Sequence, residues 1–122
     1  MKNKPKGIKH DQNKLRYELL PPEPIEELVK ILTHGAVKYE DHNWKYVEPF
    51  EDRYYGASMR HIQAWRKGEV IDPESGFHHL GSVLCNILFL LHRDLENETE
   101  EDMKQREILQ KQVIEEFLNA KK

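Results

Sequence analysis

Apolar residues recur every three or four positions along three stretches of this chain and fill a fourth almost completely. Ile25, Leu28, Val29, Leu32, Ala36 and Tyr39 define the first stretch. Their spacing predicts a helix over about residues 24–40, with Pro24 in its first turn, where a missing N–H costs nothing. Tyr55, Met59, Ile62 and then Trp65 or Arg66 predict a second helix over about 52–67, stopped by Gly68. The third runs from about 77 to 95. Between Val83 and Leu91 it is apolar nearly all round, apart from Asn86, which marks a central helix needing cover on every side. Thr99 followed by Asp102 has the form of a capping box, so a fourth helix is expected from there to about 119. Its apolar line is Leu109, Val113 and Phe117, widened by Ile108, Ile114 and Leu118.

No run alternates in the manner of a strand. The predicted class is all-α, a small bundle of about four helices. The prolines of "LLPPEP" disfavour helix before them, so residues 1–22 read as an irregular arm, 23–95 as the helical core and 96–122 as a C-terminal helical segment.

Charge and composition alter this picture in a few places. Charged residues make up 34% of the 122 and apolar ones 38%, which is polar for a compact monomer and points to long exposed helices or oligomer surfaces. The formal net charge of −3 gives no global case for binding nucleic acid or a membrane. Locally the arm, "MKNKPKGIKHDQNKLR", is strongly basic, and residues 96–102 are strongly acidic. The single cysteine, Cys85, excludes a disulfide framework and a cysteine-based zinc site, and a reducing cytoplasm is the natural setting. The basic N-terminus lacks the apolar segment of a signal peptide. The longest apolar run is too short to span a bilayer.

Candidate chemistry sits on the predicted helices and in the loops between them. Glu27, Lys30, His34 and Lys38 share one helix face. Glu27 could hold a metal and Lys38 a phosphate, or the face is simply solvated and laced with i, i+4 pairs. Gly35 costs about 1 kcal/mol inside a helix against alanine, which is tolerable where another backbone or a ligand must come close. Tyr39 and Trp44 could stack on a planar base or plug the core. On the second helix, Arg53, Arg60, His61, Trp65, Arg66 and Lys67 offer cations and aromatics. An arginine fork suits phosphate oxygens, though surface cations over a bundle would look the same.

The stretch "DPESGFHHLGSVLCNILFLL" places Asp72 and Glu74 just before the central helix. Its polar residues His79, Ser82 and Asn86, continued by Arg93, fall on one stripe. A buried polar stripe must find partners: a polar neighbouring helix, water, or a ligand. Bundles commonly build metal sites from such inward side chains, and the two carboxylates could instead only complement the helix dipole.

Four ordered blocks resemble a known family: "HDQNKLRYELLPPEPIEEL", "LTHGAVKYEDHNW", "RYYGASMRHIQAWRKGEVIDPESGFHHL" and "LCNILFLL". Together, over about residues 9–92, they are similar to the phage and bacterial dATP/dGTP diphosphohydrolases, N-terminal domain, placed beside the MazG-like all-α nucleotide pyrophosphohydrolases. The resemblance implies a nucleotide-binding core and a metal-dependent pyrophosphohydrolase of purine deoxynucleoside triphosphates, with Mg²⁺ or Mn²⁺ as cofactor. Lys14, Arg16, Lys38, Tyr39, Asn43, Trp44, Arg60, His61, Trp65, Asp72, Glu74, His79 and Asn86 fall in its motifs, as do Asp11, Gly35, Gly68 and Gly76. The leading reading gives metal-holding and catalytic roles to Glu27, Asp72, Glu74 and His79, and nucleotide contacts to Lys14, Arg16, Lys38, Tyr39, Asn43, Trp44, Arg60, His61, Trp65 and Asn86.

Two departures stand out. Ser82 occupies a place where relatives carry a second histidine. The MazG carboxylate signature is incomplete: Glu26 and Glu27 are followed by Lys30, and His79 and Ser82 stand where its second half would fall. Both reduce metal-binding charge, which keeps open a second reading, a phage protein that binds or sequesters a nucleotide without cleaving it. A small helical scaffold is the third. The expected setting is the cytoplasm, that of the host if the chain is phage-encoded. The fourth helix, set off by the acidic connection, is expected to pair with another copy. A dimer of helical hairpins with shared sites is the simplest form; a monomeric four-helix bundle is the alternative.

Overall fold

In the computed structural model, which describes residues 4–121, four helices follow one another: α1 (Pro22–Lys38), α2 (Phe50–Arg66), α3 (His79–Asn97) and α4 (Glu100–Ala120). The chain is all-α, and among the described residues the only strand-like pairing is one antiparallel bridge between Ile71 and His78. Residues 1–3 of the basic arm and residue 122 lie outside the described residues. The rest of the arm is exposed and irregular apart from a short 3-10 turn at Tyr17–Leu19.

The helices start where the backbone chemistry permits. Pro21 precedes α1 and Pro22 opens it; Pro49 precedes α2, which begins at Phe50, two residues before the predicted start at about 52. His78 caps α3 by accepting the Leu80 N–H on its own Nδ1 at 3.0 Å. Thr99 and Asp102 form a reciprocal capping box at the start of α4.

α3 is the central element and packs against both α1 and α2. Its inward residues Cys85 and Phe89 meet Leu28 of α1 and Phe50 of α2, with Ile31, Leu32, Trp44, Tyr54 and Leu90 around them. Trp44 lies flat on Phe89, with ring centroids 4.4 Å apart and planes 8° apart. Gly81 lets α1 and α3 approach: a Cβ there would stand 2.9 Å from Ile31 Cδ1. Burial pushes the Cys85 thiol up to about 11, so it behaves as a small apolar group.

This core covers only one side of α3. Leu84, Leu88, Leu91 and Leu95, spaced by four, three and four residues, are all half-exposed. Within the described residues α1 and α2 cover one face of α3, and a leucine seam about a third of a turn away is left open, so cover on every side is not supplied by this chain alone. α4 has no buried residue along its length. Leu109, Val113, Ile114 and Phe117 all stay exposed, and Arg106 clamps the Glu98 carboxylate with two bonds of 2.7 and 2.8 Å at the α3–α4 corner. No helix among the described residues is long and apolar enough to cross a membrane.

Candidate functional site

The site begins at the C-terminus of α2. Gly68, with φ of +106°, takes the left-handed turn that a side chain would resist. Its N–H bonds to the Trp65 carbonyl, and the Glu69 N–H reaches back to the Ala64 carbonyl. This pair of bonds is the Schellman arrangement. It reverses the chain, and Glu69 then accepts from His79 Nε2 at 2.7 Å.

The next segment is a tight hairpin. The Asp72 N–H bonds to the Phe77 carbonyl, the Gly76 N–H to the Asp72 carbonyl, and the His79 N–H to the Val70 carbonyl. Pro73 and Gly76 (φ +80°) make the turn. Asp72 organises it further: its Oδ1 accepts the Glu74 N–H at 3.0 Å and its Oδ2 the Ser75 hydroxyl at 3.2 Å. The Glu74 N–H, then Ser75 and the imidazoles of His61 and His79, hold the Asp72 carboxyl below its usual range. Asp72 is thus a fixed anion at the mouth of α3.

His79, the first residue of α3, is 4% exposed. Its Nδ1 faces His61 Nδ1 at 2.8 Å, and one ligand atom each from His61, Asp72 and His79 lies within 4.8 Å of the others. The bonding pattern fixes the tautomers. Glu69 as a carboxylate only accepts, so His79 Nε2 carries hydrogen. In the neutral ring His79 Nδ1 is then a lone pair, and His61 Nδ1 must be the donor. Burial, foremost, lowers the His61 pKa against the opposing pull of Asp72, which keeps that ring neutral to lower pH.

Around this group opens a cleft of about 510 Å³ between α1, α2 and the hairpin. Lys38, Tyr39, Arg60, His61, Asp72, Glu74, His79 and Ser82 line it, with Gly35 in its floor. Arg60 reaches in because Gly56 leaves it room: its Nη1 passes 3.2 Å from where a Gly56 Cβ would stand. A second cavity, of about 620 Å³, adjoins it and shares Gly35 and Tyr39. Asn43, Trp44 and Asn86 line this one, above the apolar floor of Cys85 and Phe89. A Cβ on Gly35 would meet nothing within 4 Å.

The polar stripe of α3 divides between protein partners and the cavities. His79 has Glu69 and His61; Ser82 faces the first cavity and Asn86 the second. Arg93 lies over the Phe50 ring at 3.9 Å and donates to the Lys45 carbonyl.

Four residues singled out from the sequence lie elsewhere. Glu27 lines neither cavity and pairs with Lys30 at 3.2 Å on the exposed face of α1. Trp65 sits in the last turn of α2, outside both cavities. On the arm, Lys14 is exposed, and Arg16 is exposed and pairs with Glu18. Trp44 lines the second cavity, but one of its faces is taken by Phe89, so a base held between Trp44 and Tyr39 could use only its remaining surface. Glu69 is the residue that sequence reasoning missed. The available signal was its place just after the Gly68 stop, where the chain must turn back toward the bundle.

Two imidazoles and a fixed carboxylate, those of His61, His79 and Asp72, are donors of the type that could hold a divalent ion, and Glu74 lines the same cleft. Residues 4–104 match the family model described as dATP/dGTP diphosphohydrolase, N-terminal, and the chain belongs to that family. It is also 32% identical over 84 residues to a protein of Salmonella phage PMBT28 named dATP/dGTP diphosphohydrolase. That match covers 69% of this chain and 28% of the phage protein, so the chain spans well under half of its relative's length. No solved structure matches.

Proposed function

We propose that the chain is a metal-dependent pyrophosphohydrolase of purine deoxynucleoside triphosphates. The observation that carries this reading is the cleft itself: two cations, Lys38 and Arg60, face two carboxylates and two histidines across a space open to solvent. Family membership and the name of the phage relative support the substrate class.

The cleft would receive the triphosphate and the adjoining cavity the base. Tyr39, on the wall between them, offers an exposed ring to stack on a planar base. Asn43 and Asn86 offer amides to its edge. Arg60 and Lys38 bind the phosphates and offset the charge that develops on departing pyrophosphate. Asp72, Glu74 and His79 would hold Mg²⁺ or Mn²⁺, which would supply positive charge to the phosphate oxygens and activate water. Lys14 and Arg16 belong to an exposed basic arm that would fold over the triphosphate, in its own subunit or a neighbour's.

The second reading, nucleotide binding without cleavage, keeps the same two cavities. Ser82 favours it, since its hydroxyl brings no charge and a weaker metal ligand than histidine to the cleft. A panel of nucleoside triphosphates with Mn²⁺, with products separated by chromatography, distinguishes the two: monophosphate and pyrophosphate for the hydrolase, unchanged nucleotide for the binder.

We further infer a homo-oligomer. The leucine seam on α3 repeats at the spacing by which helices pair, and α4 presents a second unpartnered apolar line. Another copy of the chain supplies matching surfaces for both.

A further inference from the structure

The chain Glu69–His79–His61 goes beyond what a carboxylate site for magnesium requires. We propose that the facing Nδ1 atoms of His61 and His79, with the Asp72 carboxylate, form a nitrogen-rich seat that selects a first-row transition ion over magnesium, and that Glu69 is its positioning residue. The proposal deepens the metal-dependent reading above and names the ion class of that same cleft.

The geometry suits such an ion. Two nitrogens bound at about 2.1 Å in adjacent octahedral positions lie about 3 Å apart, and the two Nδ1 atoms are 2.8 Å apart. In the metal-free chain a single proton occupies this gap. An ion bound to both would sit to one side of the line joining the two nitrogens, with His61 moving its hydrogen to Nε2 and both Nδ1 lone pairs turned toward that side. His79 is already prepared, because Glu69 holds the hydrogen on Nε2 at 2.7 Å. This is the carboxylate–histidine–metal relation that fixes ring orientation and raises ligand basicity. The side chain of His79 is 5% exposed, so its ring has little freedom to turn away. Asp72, held by the Glu74 N–H and Ser75, supplies the oxygen on the open side.

The donor types decide the preference. Magnesium takes oxygen ligands, keeps several waters and is held through carboxylates and phosphate. Imidazole nitrogen suits the later first-row ions, and affinity for such a set rises along the series toward copper. Glu74, within the same cleft, remains free to serve a second, oxygen-bound ion carried by the phosphates.

The test is a titration of the full chain with Co²⁺, followed by its visible absorption, with Mg²⁺ as competitor. One equivalent of Co²⁺ should bind and develop absorption, and a hundredfold excess of Mg²⁺ should not displace it. Glu69→Gln should weaken Co²⁺ binding about 10- to 100-fold, as loss of an outer carboxylate does, and His61→Ala should weaken it more. Glu69 is half-exposed, so its variant keeps the question open to measurement should His61→Ala lose helix content. Displacement by equimolar Mg²⁺, or unchanged Co²⁺ affinity in folded Glu69→Gln, overturns the proposal. Triphosphate cleavage by a protein whose Co²⁺ affinity is unchanged in folded His61→Ala would sink the seat and leave the hydrolase. Tight Co²⁺ binding without cleavage of any triphosphate would do the reverse.

Discussion

His61 and His79 face each other through their Nδ1 atoms at 2.8 Å, although eighteen residues and a hairpin separate them in sequence. Only one hydrogen fits between two such nitrogens, and the Glu69 carboxylate on the far side of His79 decides which ring supplies it. In metal-free protein at a pH where both rings are neutral, ¹⁵N–¹H correlation spectra should therefore show His79 protonated at Nε2 and His61 protonated at Nδ1, the less common tautomer. Both rings protonated at Nε2 would contradict the arrangement.

Arg60 and Lys38 are the cations of the cleft. A charge-assisted hydrogen bond to phosphate is worth about 1.5–3 kcal/mol. Arg60→Met or Lys38→Met should accordingly weaken triphosphate binding roughly 10- to 100-fold and leave nucleoside binding nearly unchanged. Equal losses for both ligands in calorimetric titrations would assign the residues to the fold.

Gly35 gives a prediction with two opposed effects. A methyl group there meets nothing within 4 Å, so Gly35→Ala should stabilise α1 by up to about 1 kcal/mol and raise the melting temperature by a few degrees. The same methyl projects where both cavities meet, so nucleotide affinity should fall. A more stable protein with undiminished affinity would show that no ligand passes over Gly35.

The leucine seam predicts assembly. Light scattering during size-exclusion chromatography should give a multiple of the 14.6 kDa chain mass, and Leu88→Lys with Leu91→Lys should reduce it toward the monomer while helix content persists. A monomer at micromolar concentration in the unaltered chain would contradict the seam.

Much of the fold was legible because local chemistry dictated it. Thr99 and Asp102 announce their capping box, Gly68 its left-handed stop, and the period of three to four residues gives each helix to within about two residues of its ends. The loop from Asp72 to Gly76 was legible as the place where carboxylates meet the central helix. Three features were not. Glu69 carries no periodicity, and its role follows from a reversal of direction that only the Gly68 turn creates. Glu27 and Lys30 share a face with Lys38, but the register of α1 against α3 decides which end of that face reaches the cleft. The open side of α3 was hidden because an all-apolar helix reads the same whether its cover comes from its own chain or from another.

Turnover with Mn²⁺ tests most directly whether the cleft lined by Arg60, Asp72 and Glu74 carries out hydrolysis. Incubation of dATP and dGTP with the full chain, with products quantified by chromatography, should yield the monophosphate and pyrophosphate in equal amounts. Asp72→Asn should cut that rate at least about 100-fold, near 3 kcal/mol in the barrier, while the protein stays folded. Nucleotide that stabilises the protein against heat yet returns intact, or turnover indifferent to Asp72→Asn, would contradict the central claim.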